Sequence, residues 1–247
     1  VIKTIKHITV ETMTPDELKT KVEELEALIQ TGNDLTLAET QARELLEAIS
    51  TGEGLGEVIG EVELRTRILI VLVQSLGQRD MAKDALPYAE ESQTLAEQTQ
   101  NKELQTKTLV NIGNVYRSLS DYVRALEYYS RALSLNEELG NKRGVASILG
   151  NIGNVHQKLS DYARALEQMG KALALDEELD NKAGMATWLG NIGATYAKQD
   201  FDGYDPAKAE EYLLRAIDLS TGIGYKAVLI EFHKNLSELY EQEQRLG

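Results

Sequence analysis

The sequence has 247 residues, of which 40 are acidic and 26 are basic, giving a formal net charge of -14. This charge argues against a nucleic-acid partner, because binding to phosphates requires a net basic surface. The absence of cysteine excludes a disulfide scaffold, thiolate zinc sites, iron–sulfur clusters and thiol catalysis, and it agrees with a cytoplasmic location. The longest strictly apolar run, at residues 68–73, is too short for membrane insertion.

The composition also favours helix along nearly the whole chain. There are only three Pro, two Phe and one Trp, whereas the strong helix formers Ala, Leu, Glu, Gln and Lys are frequent. Residues 15–30 have the apolar spacing of an amphipathic helix with Thr14 as its N-cap, and residues 35–49 have that of a partner helix. These two helices predict a degenerate repeat that caps the rest of an all-α fold.

Two short segments flank this predicted helix pair. Residues 1–10 alternate weakly between apolar and polar side chains, so a strand, a linker tail and a docking arm all stay open. The glycine-rich stretch at 52–56 has no preceding strand and no following Lys-Ser/Thr pair, and it therefore does not fit a phosphate-binding loop. We interpret it as a boundary between helices.

An internal repeat organises the residues after this boundary. The eight residues that begin at Leu109 return with few changes at Leu149 and at Leu189, a period of 40. A second block follows the first, and its sequence at 120–127 returns at 160–167 with a single change. Each repeat unit is therefore predicted to consist of two helices.

The spacing within a unit predicts how its two helices pack. Apolar or small residues occupy positions i, i+3, i+4 and i+7 of residues 109–116, which places them on one helical face. Gly113 interrupts this face and recurs as Gly153 and Gly193, although a glycine inside a helix costs about 1 kcal/mol relative to Ala. We expect the missing side chain to admit a closely packed second helix, which begins at an Asp N-cap such as Asp121.

This pattern resembles the tetratricopeptide repeat family, in the 40-residue form found in kinesin light chain, the adaptor Pins and bacterial signalling proteins. The Leu-Gly-x-x-Tyr core of that family appears here at residues 112–116, and its small residues of the second helix appear as Ala125 and Ala132. The resemblance implies an all-α, right-handed superhelical α-solenoid of antiparallel helix pairs, with about five units and a final helix.

The domain organisation follows from this register. We expect an N-terminal arm or linker at 1–14, a degenerate capping helix pair at 15–55 and a regular array at 56–247. Within the array, the expected units are 56–100, 101–140, 141–180 and 181–224, followed by a final helix at 225–246.

The resemblance also implies that the first helix of each unit lines a concave groove. Asparagines recur there in one row with two more beside it, and an amide offers both donors and an acceptor to the backbone of an extended peptide. Related adaptors use such asparagines in this way. The alternative is that these asparagines bridge adjacent helices and stabilise the stack. The residues are Asn111, Asn151, Asn191 and Asn235 in the row, with Asn114 and Asn154 beside it.

Basic residues are expected on the same groove side, although the chain as a whole is acidic. They would attract an acidic peptide or a C-terminal carboxylate, and salt would weaken that attraction. The alternative is that they are ordinary solvated helix positions, and only part of the co-chaperone carboxylate clamp is present. These residues are Arg67, Lys107, Arg117, Lys158, Lys198 and Lys234.

The sequence offers little support for an enzyme. The three histidines, His7, His156 and His233, are far apart, and His156 occupies a core position that is Tyr in the neighbouring units. No Walker, Gly-x-Ser-x-Gly or His-x-x-x-His motif occurs. Trp188 is expected to pack between units, with an exposed anchor at the groove edge as the alternative. We therefore expect no catalytic residue, no metal and no cofactor.

The function predicted from the sequence is a non-catalytic scaffold that binds a protein or peptide of unknown identity in the groove, preferring an extended and acidic segment. One alternative is a regulatory region of a longer signalling protein, such as a cyclase or kinase, because the chain begins without Met. Another is a scaffold that self-associates through its terminal helix at 232–240. We expect a monomer or weak homodimer.

Overall fold

A computed structural model describes residues 13–32, 34–51 and 60–246. Over these ranges the secondary structure is eleven α-helices without a strand, so the all-α class is confirmed. Residues 1–12 of the expected arm and the glycine-rich stretch at 52–56 lie outside the described residues. The helices are α1 (Pro15–Thr31), α2 (Leu35–Thr51), α3 (Glu61–Gln78), α4 (Ala82–Gln98), α5 (Lys102–Ser118), α6 (Tyr122–Glu138), α7 (Lys142–Lys158), α8 (Tyr162–Glu178), α9 (Lys182–Tyr196), α10 (Pro206–Gly222) and α11 (Lys226–Leu246).

The helices form two compact units, residues 1–132 and 133–247, which divide within α6. In the first unit each helix from α1 to α5 packs on the next, and α3 also contacts α1 and α5. In the second unit consecutive helices pack in the same way from α7 to α11, and α9 also contacts α7 and α11. This consecutive packing of helix pairs, with the first helices of successive pairs in contact, is the predicted repeat fold. Among the described helices, none is long and apolar enough to span a bilayer.

Side-chain caps determine where the helices begin. The hydroxyl of Thr14 accepts a hydrogen bond from the Glu17 backbone N–H, and the Glu17 carboxylate accepts one from the Thr14 backbone N–H at 2.8 Å. The hydrogen bonds that the Glu17 carboxylate accepts from the backbone N–H and the hydroxyl of Thr14 lower the pKa of Glu17. The expected Asp caps also form, since Asp121 and Asp161 each accept from the backbone N–H three residues later. A polar side chain thus satisfies a backbone donor that the helix leaves unpaired.

The recurrent glycines allow the two helices of a pair to approach closely, as predicted. A Cβ on Gly113 would lie 2.6 Å from Cε1 of Tyr129 in α6. A Cβ on Gly193 would lie 2.9 Å from Cγ of Leu213 and 3.0 Å from the Ala209 carbonyl oxygen in α10. Any larger residue would therefore separate the helices. The close contact compensates for the low helix propensity of glycine.

Candidate functional site

The polar face of α7, α9 and α11 in the second unit carries the best-defined asparagine row. Asn151, Asn191 and Asn235 occupy the same position in their helices, nine residues after Lys142, Lys182 and Lys226. All three residues are half-buried, so part of each reaches the surface. The row therefore places one amide at the same position of each first helix in this unit.

One amide of the row is bonded to an asparagine beside the row, across neighbouring helices. The Nδ2 of Asn191 in α9 donates to the Oδ1 of Asn154 in α7 at 3.1 Å. Close by, Nε2 of Gln157 donates to the hydroxyl of Thr195 at 2.7 Å. The bridging role is therefore present in the structure for Asn154 and Asn191. Each amide has two N–H groups and a carbonyl, so this bond leaves further donors on Asn154 and an acceptor on Asn191.

The equivalent amides of the first unit are less accessible. Asn111 is only 7% exposed, because Gln74 of α3 lies against it and donates to its Oδ1 at 3.4 Å. The Nδ2 of Asn111 is buried without a hydrogen-bond partner. Asn114 is half-buried, and its Oδ1 accepts a 2.7 Å hydrogen bond from the Tyr129 hydroxyl. We expected Asn111 to line the groove, but in this unit it is buried below the surface.

The basic residues fall into two groups. Lys107, Lys158 and Lys198 are exposed and take no part in the ion pairs found within the described ranges. Lys234 is also exposed, but its Nζ lies 3.6 Å from a carboxylate oxygen of Glu238 in the same helix. Lys158, the last residue of α7, and Lys198, two residues after the end of α9, are thus exposed cations of the second unit that are available to an acidic ligand.

The two predicted arginines, Arg67 and Arg117, are both partly buried in the first unit. The Nε and Nη2 atoms of Arg67 donate to the two carboxylate oxygens of Glu26 at 2.9 and 2.8 Å, and these bonds raise the pKa of Arg67. Arg117 is half-buried, and its Nε atom has no hydrogen-bond partner. Burial raises the pKa of the neighbouring Tyr129 to about 12, an effect that the charge of Arg117 partly opposes. Of the two, Arg67 forms an ion pair with a carboxylate of the same chain.

Gly150 and Gly190, which precede Asn151 and Asn191, are buried beneath aromatic rings. A Cβ on Gly150 would overlap Cη2 of Trp188, and a Cβ on Gly190 would overlap Cε1 of Phe232. Trp188 is 8% exposed and Phe232 is 2% exposed. Trp188 therefore packs between helix pairs, as expected, and it is not the exposed anchor that we considered as the alternative. Phe232 is likewise unavailable to a second copy of the chain.

An open cavity of about 300 Å³ lies beside Trp188, and its position was not predicted. It lies between the amino-terminal ends of α7 and α9, the carboxyl-terminal end of α8 and the residue that precedes α11. A buried carboxylate at its wall, that of Asp176, is the residue that sequence reasoning missed. The available signal was that Asp176 replaces Asn136 of the preceding repeat. Lining residues include Arg143, Ser147, Asp176, Thr187, Trp188 and Tyr225.

The histidines do not form a catalytic arrangement in the described part of the chain. His156 is half-buried, with its Nδ1 atom 3.7 Å from a carboxylate oxygen of Asp161. His233 is exposed, and His7 lies outside the described ranges. A search of the described residues finds no group of three or more His, Cys, Asp or Glu side chains placed to hold a metal ion.

These features define a helix-pair repeat protein with a polar face on its first helices. Residues 106–139 and residues 144–203 each match a family model described as tetratricopeptide repeat. Residues 106–139 and 144–203 are thus tetratricopeptide repeats. A comparison with curated protein sequences finds no match.

Solved structures share the fold at low sequence identity. BtubC (BKLC) of P. vanneervenii is 19% identical with a TM-score of 0.62, and the match covers 91% of this chain and 83% of that one. Aspartyl phosphate phosphatase F of Bacillus subtilis is 17% identical with a TM-score of 0.72, covering 93% of this chain and 56% of that one. A Rap protein complexed with Competence and Sporulation Factor is 15% identical with a TM-score of 0.57, covering 92% and 67%. At these identities the likeness concerns the fold alone.

Proposed function

We propose that the protein is a non-catalytic scaffold that binds an extended, acidic peptide segment on the first helices of its repeats. The half-buried row formed by Asn151, Asn191 and Asn235 is the observation that carries the proposal. Amides at regular intervals can pair with the backbone of an extended chain whatever its side chains are. The Rap protein of similar fold, which was solved as a complex with Competence and Sporulation Factor, supports a binding role for this architecture.

The preference for an acidic segment rests on the unpaired lysines. Lys158 is the last residue of α7, Lys198 lies two residues beyond the end of α9, and both are exposed. Positive charge that is not neutralised within the chain increases the rate and selectivity of binding to acidic partners. In the first unit, Lys107, Asn114 and Arg117 would form a surface of the same kind. The ion-paired Arg67 and the buried Asn111 would contribute to it through their contacts within that unit.

A peptide panel tests both parts of this proposal. Acetylated and amidated extended peptides of equal length but different net charge are titrated against the protein at low and at high salt. We expect the acidic peptides to bind most tightly and to weaken as salt rises, because exposed charges are screened. Binding that is independent of peptide charge would contradict the electrostatic part and leave the amide row to be tested by substitution.

Substitutions in the row provide that second test. Replacing both Asn151 and Asn191 by Ala should weaken peptide binding roughly tenfold or more, since each lost hydrogen bond is worth about 1 kcal/mol. Gln168→Ala, on the second helix α8, removes an amide outside the row and should leave binding unchanged. Circular dichroism of each variant shows whether the fold is retained. Unchanged binding by a folded double variant would overturn the proposal.

A further inference from the structure

The carboxylate of Asp176 is buried and has no ion-pair partner among the described residues. It is 2% exposed, and its two oxygens accept hydrogen bonds from Nδ2 of Asn181 at 2.8 Å and from Nε1 of Trp188 at 2.7 Å. Both donors are neutral, and Asp176 forms no ion pair with any Lys, Arg or His of the described residues. A buried charge is costly unless a partner of opposite charge or a strong hydrogen-bond network compensates it.

The preceding repeat shows that the turn does not require this charge. Asn136 occupies the equivalent position, is 1% exposed, and its Oδ1 accepts from Nδ2 of Asn141 at 2.8 Å. An amide therefore makes the same bond to the N-cap residue of the next helix. The amino-terminal end of α9 lies against Asp176, and its dipole makes the negative charge tolerable in the free protein. What the carboxylate adds relative to the amide is a net negative charge.

This charge faces the open cavity of about 300 Å³. Ser147 and Thr187 line the same cavity, and each lies one helical turn before an asparagine of the row, Asn151 and Asn191 respectively. A carboxylate offers about four acceptor positions, of which the bonds from Asn181 and Trp188 use two. The hydroxyls and the carboxylate together offer acceptors to a donor-rich cation that enters from the asparagine row.

We propose that this cavity binds the side chain of a lysine or arginine in the peptide that lies along the asparagine row. The proposal rests on the proposed function and refines it, because it assigns one basic anchor residue to an otherwise acidic segment. Arg143 lines the cavity, is exposed, and is absent from the ion pairs of the described residues. It is therefore available to the carboxylate of an acidic residue next to the anchor.

The single tryptophan of the chain reports on this cavity directly. Because the indole N–H of Trp188 is bonded to Asp176, a cation that binds the carboxylate should shift or quench its fluorescence. The probes are acetylated and amidated Gly-Gly-Lys-Gly-Gly, its arginine counterpart and its norleucine counterpart, each titrated by fluorescence and by calorimetry. We expect a saturable response to the lysine and arginine peptides. An equal response to norleucine, or no saturable response to any probe, would overturn the proposal.

Asp176→Asn removes the charge while keeping an acceptor at the site, as in the preceding repeat. We expect its affinity for the lysine and arginine probes to fall at least tenfold, whereas Glu177→Gln, on the exposed neighbouring residue, should bind like the wild type. The melting temperature of free Asp176→Asn should be no lower than that of the wild type, since the substitution removes a buried charge that has no ion-pair partner and keeps the acceptor oxygen. A lower melting temperature with unchanged probe affinity would show a purely structural carboxylate and contradict the proposal.

Failure of the cation site can be distinguished from failure of the proposed peptide-binding function. If long acidic peptides lose affinity on replacement of Asn151 and Asn191 but not in Asp176→Asn, the scaffold function stands and the cation subsite is wrong. If the short lysine probe binds in an Asp176-dependent way while no long peptide binds, the cation site stands and the proposed groove function is wrong.

Discussion

The indole ring of Trp188 occupies the space that a side chain at position 150 would fill. A Cβ on Gly150 would overlap atoms Cη2 and Cζ3 of the ring. The next helix repeats this relationship, with Phe232 of α11 placed over Gly190 of α9. A missing side chain on one first helix thus accommodates a large ring from the next, and this contact joins α7 to α9 and α9 to α11 within the second unit.

The first prediction concerns this packing. Gly150→Ala should destabilise the protein by about 1–3 kcal/mol or more, because the added methyl group overpacks a filled site. Urea unfolding followed by Trp188 fluorescence and by helical circular dichroism measures the change. Gly170→Ala is the matched control, because it lies inside α8 with open space around the new Cβ. There we expect a gain of about 0.5–1 kcal/mol from helix propensity. Equal effects at both glycines would contradict the packing role.

The second prediction separates bridging from binding in the asparagine row. Asn154→Ala and Asn191→Ala should each lower the free energy of unfolding by about 0.5–1.5 kcal/mol, and a double-mutant cycle should show coupling, because one hydrogen bond joins them. Asn151→Ala should leave stability almost unchanged. Additive effects of the two substitutions would mean that the bond contributes nothing to stability.

The third prediction is a loss of stability at high pH caused by Tyr129. Burial raises its pKa from 10.0 to about 12 in the folded protein, so the folded state keeps a proton that the unfolded chain releases. The resulting stability is fully present below pH 10 and is lost as pH rises towards 12, an effect of about 2–3 kcal/mol. Unfolding measured across this range in wild type and in Tyr129→Phe tests it. The variant should lack this component, and identical pH profiles would refute the assignment to Tyr129.

The fourth prediction concerns the ion pair that joins α1 to α3. The side chains of Arg67 and Glu26 are 24% and 31% exposed, and two hydrogen bonds connect them. Glu26→Gln should therefore cost about 1–2 kcal/mol and increase hydrogen exchange in α1. Glu44→Gln changes the charge equally on an exposed position of α2 and should have little effect. Unaltered exchange in α1 would show that the pair does not hold this helix in place.

The repeat pattern predicted the local structure well. The 40-residue period, the apolar stripe and the Asp and Thr caps led to helix pairs, and the helices begin and end close to the expected positions. The recurrent Gly113, Gly153 and Gly193 indicated close helix approach, which the structure shows at each of them. These features depend on neighbours within one helix or one helix pair, so their signals lie close together in the sequence.

The sequence by itself thus determined the helix pairs and their 40-residue period, because periodicity and capping act over a few residues. Only the tertiary structure decided which polar residues stay available. Asn111 is covered by Gln74, Asn191 is bonded to Asn154, and Arg67 is neutralised by Glu26. Each of these partners lies 37 to 41 residues away, in a neighbouring helix pair. Contacts between residues so far apart in the sequence depend on how neighbouring helix pairs stack. The repeat pattern shows which residues are equivalent, but it does not show which side chains of neighbouring pairs meet.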